Sequence, residues 1–345
     1  MTADARWMGA ALALAERGRG RTAPNPNVGC VIVNGGRVVG RGWTQPGGRP
    51  HAEAMALAEA GAAARGATVY TTLEPCAHAS PRGPACSGLL VEAGVASVVA
   101  ALGDPDPRTD GKGHDRLRAA GIAVETGPGE AEARRSMAGF LTRQAHERPY
   151  VTLKLATSLD GCIALASGES QWITGAPARA HAHLERSRHE AILVGRGTWE
   201  ADAPTLDVRL DGLADRSPRR LLLSSRHPRE SGGSASLLLG GGGKLGPRFR
   251  GDDDWEWVAS PAAIADLTGI DHLLIEGGAQ TASAFLAANL VDRLLLYRAP
   301  ILIGGGKPAL GDIGLTGLAD THGRWRLRDR RMLGIDVFEE YERTR

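Results

Sequence analysis

Apolar residues fall in short runs along the chain, and their spacing switches repeatedly between the helical and the strand period. Asp4 to Arg17 has the spacing of a helix. "VGCVIV" and "GRVVGRGW" predict a strand pair over residues 28–33 and 36–43. A helix follows from His51 and ends at Gly66. Next come the strand "ATVYTTL", the helix "CSGLLVEAG" and the strand "VASVVAAL". A short helix, the strand "IAVET" and a helix from Glu130 to Ala145 complete the first part. Alternation of this kind predicts an α/β fold, a sheet with helices on both faces.

"ERPYVTLKLA" opens a second series with a new strand, and Pro149 with the charged residues before it marks the division. The chain is therefore read as two domains, residues 1–147 and 148–345. In the second, "HEAILVG", "RRLLLSS", "WEWVAS", "IDHLLIEGG" and "VDRLLLYRAPIL" predict strands. Between them, Ser231 to Asp254 is Gly-rich and low in complexity, and reads as a flexible surface insert. Arg248 and Arg250 in that insert read as solvated loop residues rather than a phosphate contact.

Composition narrows the function. Aromatic residues are only 4% of the chain, so aliphatic and alanine-rich packing must form the cores. The net charge of +2 lacks the clustered basic excess of a nucleic-acid footprint, so no nucleic-acid partner is expected. Runs such as "LLLYRAPILI" are far shorter than the roughly 20 residues of a membrane span, so no membrane partner is expected either. Asp4 and Glu16 make the N-terminal segment read as an amphipathic helix rather than a signal peptide, which predicts a cytoplasmic protein. The 4 cysteines are too few for a disulfide scaffold and point to metal or catalysis.

The chemistry concentrates in two stretches. "PHAEA" sets His51 and Glu53 two residues apart at the start of a helix, and "EPCAHASPRGPAC" carries Cys76 and Cys86 a strand later. One histidine and two thiolates leave the fourth tetrahedral position of a zinc ion for water, the arrangement of a catalytic site. Glu53 then suits a proton shuttle and need not be a ligand. His78 also lies between the cysteines, but His51 fills the third ligand position better, which leaves His78 to the loop or the substrate side. The bland alternative is two buried thiols and a histidine that caps a helix.

Together "TAPNPNVGCVIV", "PHAEAMAL", "TTLEPCAHASPRGPAC" and "GDPDPRTDGKG" resemble the deaminase half of the bifunctional riboflavin-biosynthesis deaminase/reductase. "RPYVTLKLATSLDG", "QWITG", "ILVGRGTWEADAPTLDVR" and "LLIEGG" resemble its reductase half, in the same order. The resemblance implies a cytidine-deaminase-like three-layer αβα sandwich followed by a dihydrofolate-reductase-like α/β domain. It implies zinc-dependent hydrolytic deamination of a diaminopyrimidinone ribosylamine phosphate, then NADPH-dependent reduction of the ribosyl to the ribityl chain. His51, Cys76 and Cys86 match the zinc ligands, one ion per chain, and Glu53 the shuttle. Asn25 matches a substrate-binding asparagine, and Arg82 stands where a basic residue holds the substrate phosphate. Two positions depart from the family pattern. Thr44 replaces a frequent histidine, and nine residues rather than eight separate the cysteines.

For the reductase half, the resemblance matches Lys154, Thr174, Asp202, Arg209 and Glu276. Lys154 would meet a phosphate or sugar oxygen, and Asp202 the ribosyl hydroxyls near the hydride acceptor. Arg209 would clamp the substrate phosphate, and Glu276 would also face substrate. Thr174 would serve the cofactor or cap a following helix. There is no complete G-x-G-x-x-G, so a standard dinucleotide fold is not supported. Gly277 and Gly278 sit between a strand and a helix, where a backbone can approach a pyrophosphate or simply turn. Gly304 to Gly306 reads as a flexible loop beside the cofactor or as a hinge. Ala203 replaces a common aspartate and Cys162 a common lysine. Cys30 reads as a buried strand thiol and Cys162 as a loop residue. A homo-oligomer is expected. The competing readings are a nucleoside or tRNA-base deaminase fused to an unrelated nucleotide-binding domain, and a nucleotide-binding scaffold with a structural zinc.

Overall fold

The computed structural model describes residues 3–225 and 255–345, and the Gly-rich stretch 231–254 with Arg248 and Arg250 lies outside the described residues. The chain divides into two units, Met1–Glu147 and Arg148–Arg345.

In the first unit, helix α1 (Ala3–Ala15) precedes the strand pair β1 (Gly29–Asn34) and β2 (Arg37–Trp43). Helix α2 (Ala52–Ala60) and strand β3 (Thr68–Thr71) follow. Then come α3 (Cys86–Ala93), β4 (Ser97–Ala100), α4 (Lys112–Ala119) and β5 (Ala123–Thr126). The sheet order is β2-β1-β3-β4-β5, antiparallel across β2, β1 and β3 and parallel from β3 to β5.

Glycine lets the helices lie close on this sheet. A Cβ on Gly29 would fall 1.9 Å from the Ala11 carbonyl oxygen of α1. On the neighbouring pleat, a Cβ on Gly42 would fall 2.1 Å from the Ala52 oxygen of α2, and one on Gly40 2.1 Å from the Ala56 oxygen. Gly29 pairs with Trp43 and Gly42 with Cys30, so α1 and α2 cover opposite faces and the unit has three layers. Its core is small and aliphatic, as the low aromatic content requires: Val31, Ile32, Val69, Leu90, Val98 and Leu117.

Two boundaries differ from the sequence reading. α2 stops at Ala60, because Gly61 takes φ 52°, ψ −133°, and a 3₁₀ turn over Gly61–Ala64 completes the segment. The single helix expected over residues 130–145 is two, α5 (Glu130–Ser136) and α6 (Ala138–His146). They break at Met137, whose φ of −100° and ψ of 19° leave the helical range and whose side chain is fully buried.

The second unit begins with β6 (Tyr150–Thr157), β7 (Cys162–Ala164) and α7 (Ala176–Arg186). It continues with β8 (Ala191–Gly195), the short α8 (Arg196–Asp202), β9 (Arg219–Leu223) and β10 (Trp255–Val258). β11 (His272–Ile275), α9 (Ala279–Ala287), β12 (Arg293–Arg298) and β13 (Lys307–Pro308) lead to the hairpin β14 (Trp325–Leu333) and β15 (Asp336–Arg343). The described strands order as β10-β9-β8-β11-β6-β12-β15-β14. All neighbours are parallel except β12 with β15 and β15 with β14.

β6 and β11 lie centrally, and Val151, Leu153, Leu273 and Ile275 are fully buried. The carboxyl ends of parallel strands are where such sheets place ligands, so β6, β8 and β11 define the region to inspect. Cys162 is not in a loop as expected but is buried on β7. The Gly304–Gly306 segment is pinned: the Asp160 carboxylate accepts N–H bonds from Ile303 at 3.2 Å and Gly304 at 2.7 Å.

Candidate active sites

His51 is the residue before α2, with extended backbone, and Glu53 lies in the first turn, buried. The Pro75–Ala85 loop brings Cys76 back to the first residue of α3, Cys86. The Cys86 N–H donates to the Cys76 sulfur at 3.3 Å, and the Cys76 carbonyl accepts from the Ser87 hydroxyl at 2.9 Å. Both thiol-bearing segments are thus tied at one helix N-terminus. His51 Nδ1 lies 3.3 Å from Cys86 Sγ and 3.6 Å from Cys76 Sγ, and all three donor atoms lie within 4.8 Å of one another. Tetrahedral zinc with ordinary Zn–N and Zn–S bonds needs N to S separations of about 3.5 Å. The donor set and its spacing fit zinc.

Electrostatics follow from the packing. Burial pushes the Glu53 carboxyl up from its ordinary range, and His51 opposes this. The Cys76 thiol is held well below its usual range by hydrogen bonding from Cys86, and His51 adds to the effect. Cys30, buried on β1 as the sequence suggested, is pushed up by burial and by Glu53.

His51, Glu53 and Cys76 open into a cavity of about 300 Å³ that Asn25, Thr44, His78 and Arg82 also line. Asn25 reaches His51 itself, its side-chain amide 3.0 Å from Nε2. Thr44 is buried, and its hydroxyl accepts the Val28 N–H at 3.0 Å. The long inter-cysteine loop closes on itself through paired Ser80 and Gly83 backbone bonds of 3.0 Å, with Arg82 at the turn. Arg82 does not hang free: its Nη2 donates to the Gly47 carbonyl at 2.6 Å. That bond uses one of the five guanidinium N–H groups.

The sequence reading quoted "GDPDPRTDGKG" but did not single out Asp104, Asp106 and Arg108, which form part of the cavity wall, nor Arg49. Asp104 is pushed up to about 7, first by burial and then by the neighbouring Asp106. It also missed Glu74, which shapes that wall. The buried Glu74 carboxylate accepts the backbone N–H groups of Asp104, Gly111, Gly113 and His114 at 2.9–3.3 Å. α4 has no side-chain cap of its own, so Glu74 caps it from a distant strand end. The signal was its position directly before Pro75-Cys76.

In the second unit, Lys154 and Glu276 come together, with a partner the sequence did not suggest. Arg186 of α7 forks onto the Glu276 carboxylate at 2.7 and 2.9 Å, and Lys154 Nζ stands 3.7 Å away. Burial pushes the Glu276 carboxyl up, but Arg186 and Lys154 outweigh it and hold it at about 2. Arg186 also donates to the Asp207 carbonyl at 3.0 Å, which places the 207–209 segment beside this cluster. Arg209 is exposed, 3.4 Å from Asp207, and its N–H donates to His183 at 3.2 Å.

Gly277 and Gly278 follow Glu276 directly. The Gly278 N–H donates to Thr198 Oγ1 at 3.2 Å, and a Cβ on Gly277 would fall 2.9 Å from Thr281 Cβ. Thr174 does not cap α7. Its carbonyl accepts from Arg179 at 2.5 Å, and the Gly175 N–H goes to Asp336 at 2.7 Å. Asp202 ends α8, exposed, and is not among the residues gathered around Glu276.

The profile of the "RibD C-terminal domain" matches residues 149–337, more than half of the chain. A riboflavin biosynthesis protein RibD of Escherichia coli K12 is 40% identical over 361 residues, covering 97% of this chain and 98% of its own. The chain belongs to the RibD family. A second profile, the "cytidine and deoxycytidylate deaminase zinc-binding region", matches residues 1–102. Among solved structures, Acinetobacter baumannii RibD superposes with a TM-score of 0.83 at 36% identity, over 99% of both chains. The Thermotoga maritima protein described as a diaminohydroxyphosphoribosylaminopyrimidine deaminase/5-amino-6-(5-phosphoribosylamino)uracil reductase reaches a TM-score of 0.85 at 31% identity, again over 99% of both. RibD relatives thus match both units in the order the sequence motifs suggested. That removes the reading of a deaminase fused to an unrelated domain. Among the described residues, no helix is long and apolar enough to cross a membrane.

Proposed function

We infer that this enzyme of riboflavin biosynthesis deaminates a diaminopyrimidinone ribosylamine phosphate in its first unit and reduces the ribosyl chain with NADPH in its second. The observation that carries the first step is the clustering of His51, Cys76 and Cys86 beside the buried Glu53, with His51, Glu53 and Cys76 lining one cavity. His51, Cys76 and Cys86 would hold a zinc ion, which would make water acidic enough to attack at neutral pH. Glu53 would take a proton from the attacking water and deliver it to the departing amino nitrogen, so that amidine and water become carbonyl and ammonia. The upward shift of its carboxyl favours the second half of this task, in which Glu53 gives up a proton. Asn25 faces the pyrimidinone and Arg82 the phosphate.

For the second step, NADPH supplies the hydride. The first N–H groups of α9, beyond Gly277 and Gly278, lack acceptors within the helix and suit a cofactor phosphate. Thr174 adds a cofactor contact. Lys154 meets a sugar or phosphate oxygen, Arg209 clamps the substrate phosphate, and Asp202 receives the ribosyl hydroxyls. Glu276, already forked by Arg186, holds Lys154 in place as a charged group rather than acting as a free acid.

Three variants test the assignment. Glu53→Gln should keep zinc and lose deamination by at least about 10²-fold, the usual worth of a proton-transfer group. Asp202→Asn should spare deamination and slow NADPH oxidation on the deaminated substrate. Arg82→Ala should raise the deaminase KM about tenfold or more, as for the loss of a hydrogen bond to a charged group, with zinc content unchanged. An active Glu53→Gln enzyme would sink the mechanism.

A further inference from the structure

We propose that Asn25 is a positioning residue for the metal-binding histidine and fixes which ring nitrogen of His51 carries the proton. The inference rests on the reading of His51 as a zinc ligand. Nδ1 is the nitrogen turned to the two sulfurs, 3.3 and 3.6 Å away. A neutral imidazole holds one proton, and the nitrogen that binds a metal must be bare. The proton therefore belongs on Nε2, which must donate it. The partner that Nε2 has among the described residues is the Asn25 side-chain amide, whose nitrogen Nδ2 stands 3.0 Å from it. Two N–H donors cannot share this contact, so with metal on Nδ1 the amide takes the half-turn about its terminal bond that exchanges nitrogen and oxygen and brings Oδ1 to accept from Nε2–H.

The amide is held for this task. Pro24 and Pro26 flank Asn25, and its backbone N–H donates to the Thr22 carbonyl at 2.9 Å. Gly48 closes over it: a Cβ there would fall 2.7 Å from Asn25 Cγ and 2.8 Å from its Cβ, in either orientation of the amide. The Gly47 N–H donates to the Arg21 carbonyl at 2.8 Å, which stitches the glycine turn to the segment that carries Asn25. A residue whose whole task was to meet substrate would not need its amide wedged between a histidine nitrogen and a glycine. Partners of this kind set the direction and basicity of a ligating ring, and their loss weakens metal binding about 10- to 100-fold.

The test uses the full chain and zinc itself. Zinc content of the wild type is measured first, then its loss to a competing chelator for Asn25→Ala and Asn25→Asp. Asn25→Ala should bind zinc about 10- to 100-fold more weakly. Asn25→Asp keeps an acceptor for Nε2–H and should stay within about threefold of the wild type, below that range. NADPH oxidation on the deaminated substrate should be unchanged in both, which reports that the second unit is intact. Gly48→Ala, which crowds the amide from the other side, should loosen zinc in the same way if Asn25→Ala fails to fold. In the zinc-loaded wild type, nitrogen-resolved NMR should show the His51 proton on Nε2.

Unchanged zinc retention in Asn25→Ala overturns the proposal, as does a proton on Nδ1. Equal loosening by Asn25→Asp overturns the acceptor role. A wild type that holds no zinc overturns instead the reading of His51 as a ligand.

Discussion

Two largely buried glutamates in the second unit show how one residue type takes opposite pKa shifts. Glu190, just before β8, accepts the His272 N–H at 2.7 Å and is pushed up to about 7 by burial, with Asp271 adding to the rise. Glu276, just past β11, is held at about 2 because Arg186 and Lys154 outweigh its burial. A raised carboxyl makes the folded state the better proton binder. The Glu190 contribution is therefore complete below about pH 4.3 and lost as pH rises through about 7. The Glu276 contribution is complete above about pH 4.3 and lost as pH falls toward about 2. Denaturant unfolding of the second unit between pH 5 and 8 should thus show stability falling with pH, by up to about 3 kcal/mol from Glu190. Glu190→Gln should flatten that slope. A variant with the wild-type slope would remove Glu190 as its source. Neither shift was legible in the sequence. Glu276 was singled out, but Arg186 lies 90 positions away along the chain, and no local spacing announces such a pair. His51, Glu53, Cys76 and Cys86 were legible because short motifs carry them.

Among the elements, the carriers of the zinc site depend on glycine more than on side-chain packing. α2 can bring His51 and Glu53 to the cavity only because Gly42 lets its backbone lie on β2. Gly42→Ala would set a Cβ 2.1 Å from the Ala52 oxygen, so backbone must shift. Overpacking of this kind costs roughly 1–3 kcal/mol. Thermal unfolding of the first unit should move down, with weaker zinc retention and slower deamination, while NADPH-dependent reduction persists. Equal loss of both activities would mean that the change is not local to α2. Strands with apolar runs, such as β8 and β11, were readable directly. The β14–β15 hairpin was not, because charged pairs run across it: Arg326 and Arg328 with Glu342, and Arg330 with Glu339. Such a ladder hides the strand period behind arginine and glutamate. The helix break at Met137 was hidden too, since no Gly or Pro marks it.

For the whole molecule, two units with separate cores predict separable chemistry. A Glu53→Gln protein and a Lys154→Met protein, each unable to complete the pathway alone, should together consume NADPH when given the diaminopyrimidinone substrate. Silence from a mixture whose single activities are intact would show that the intermediate does not pass between molecules. The division near Arg148 was legible from Pro149 and the fresh strand that follows. The second unit also closes on itself. Arg148, at its start, forks onto Asp292 at 2.7 and 2.9 Å, and Arg345 reaches the same carboxylate. Positions 148 and 345 are therefore neighbours in space, so the backbone could be rejoined there by a short bridge and opened at another surface turn. A second unit permuted in this way should keep its fold, which circular dichroism of the rejoined chain would check.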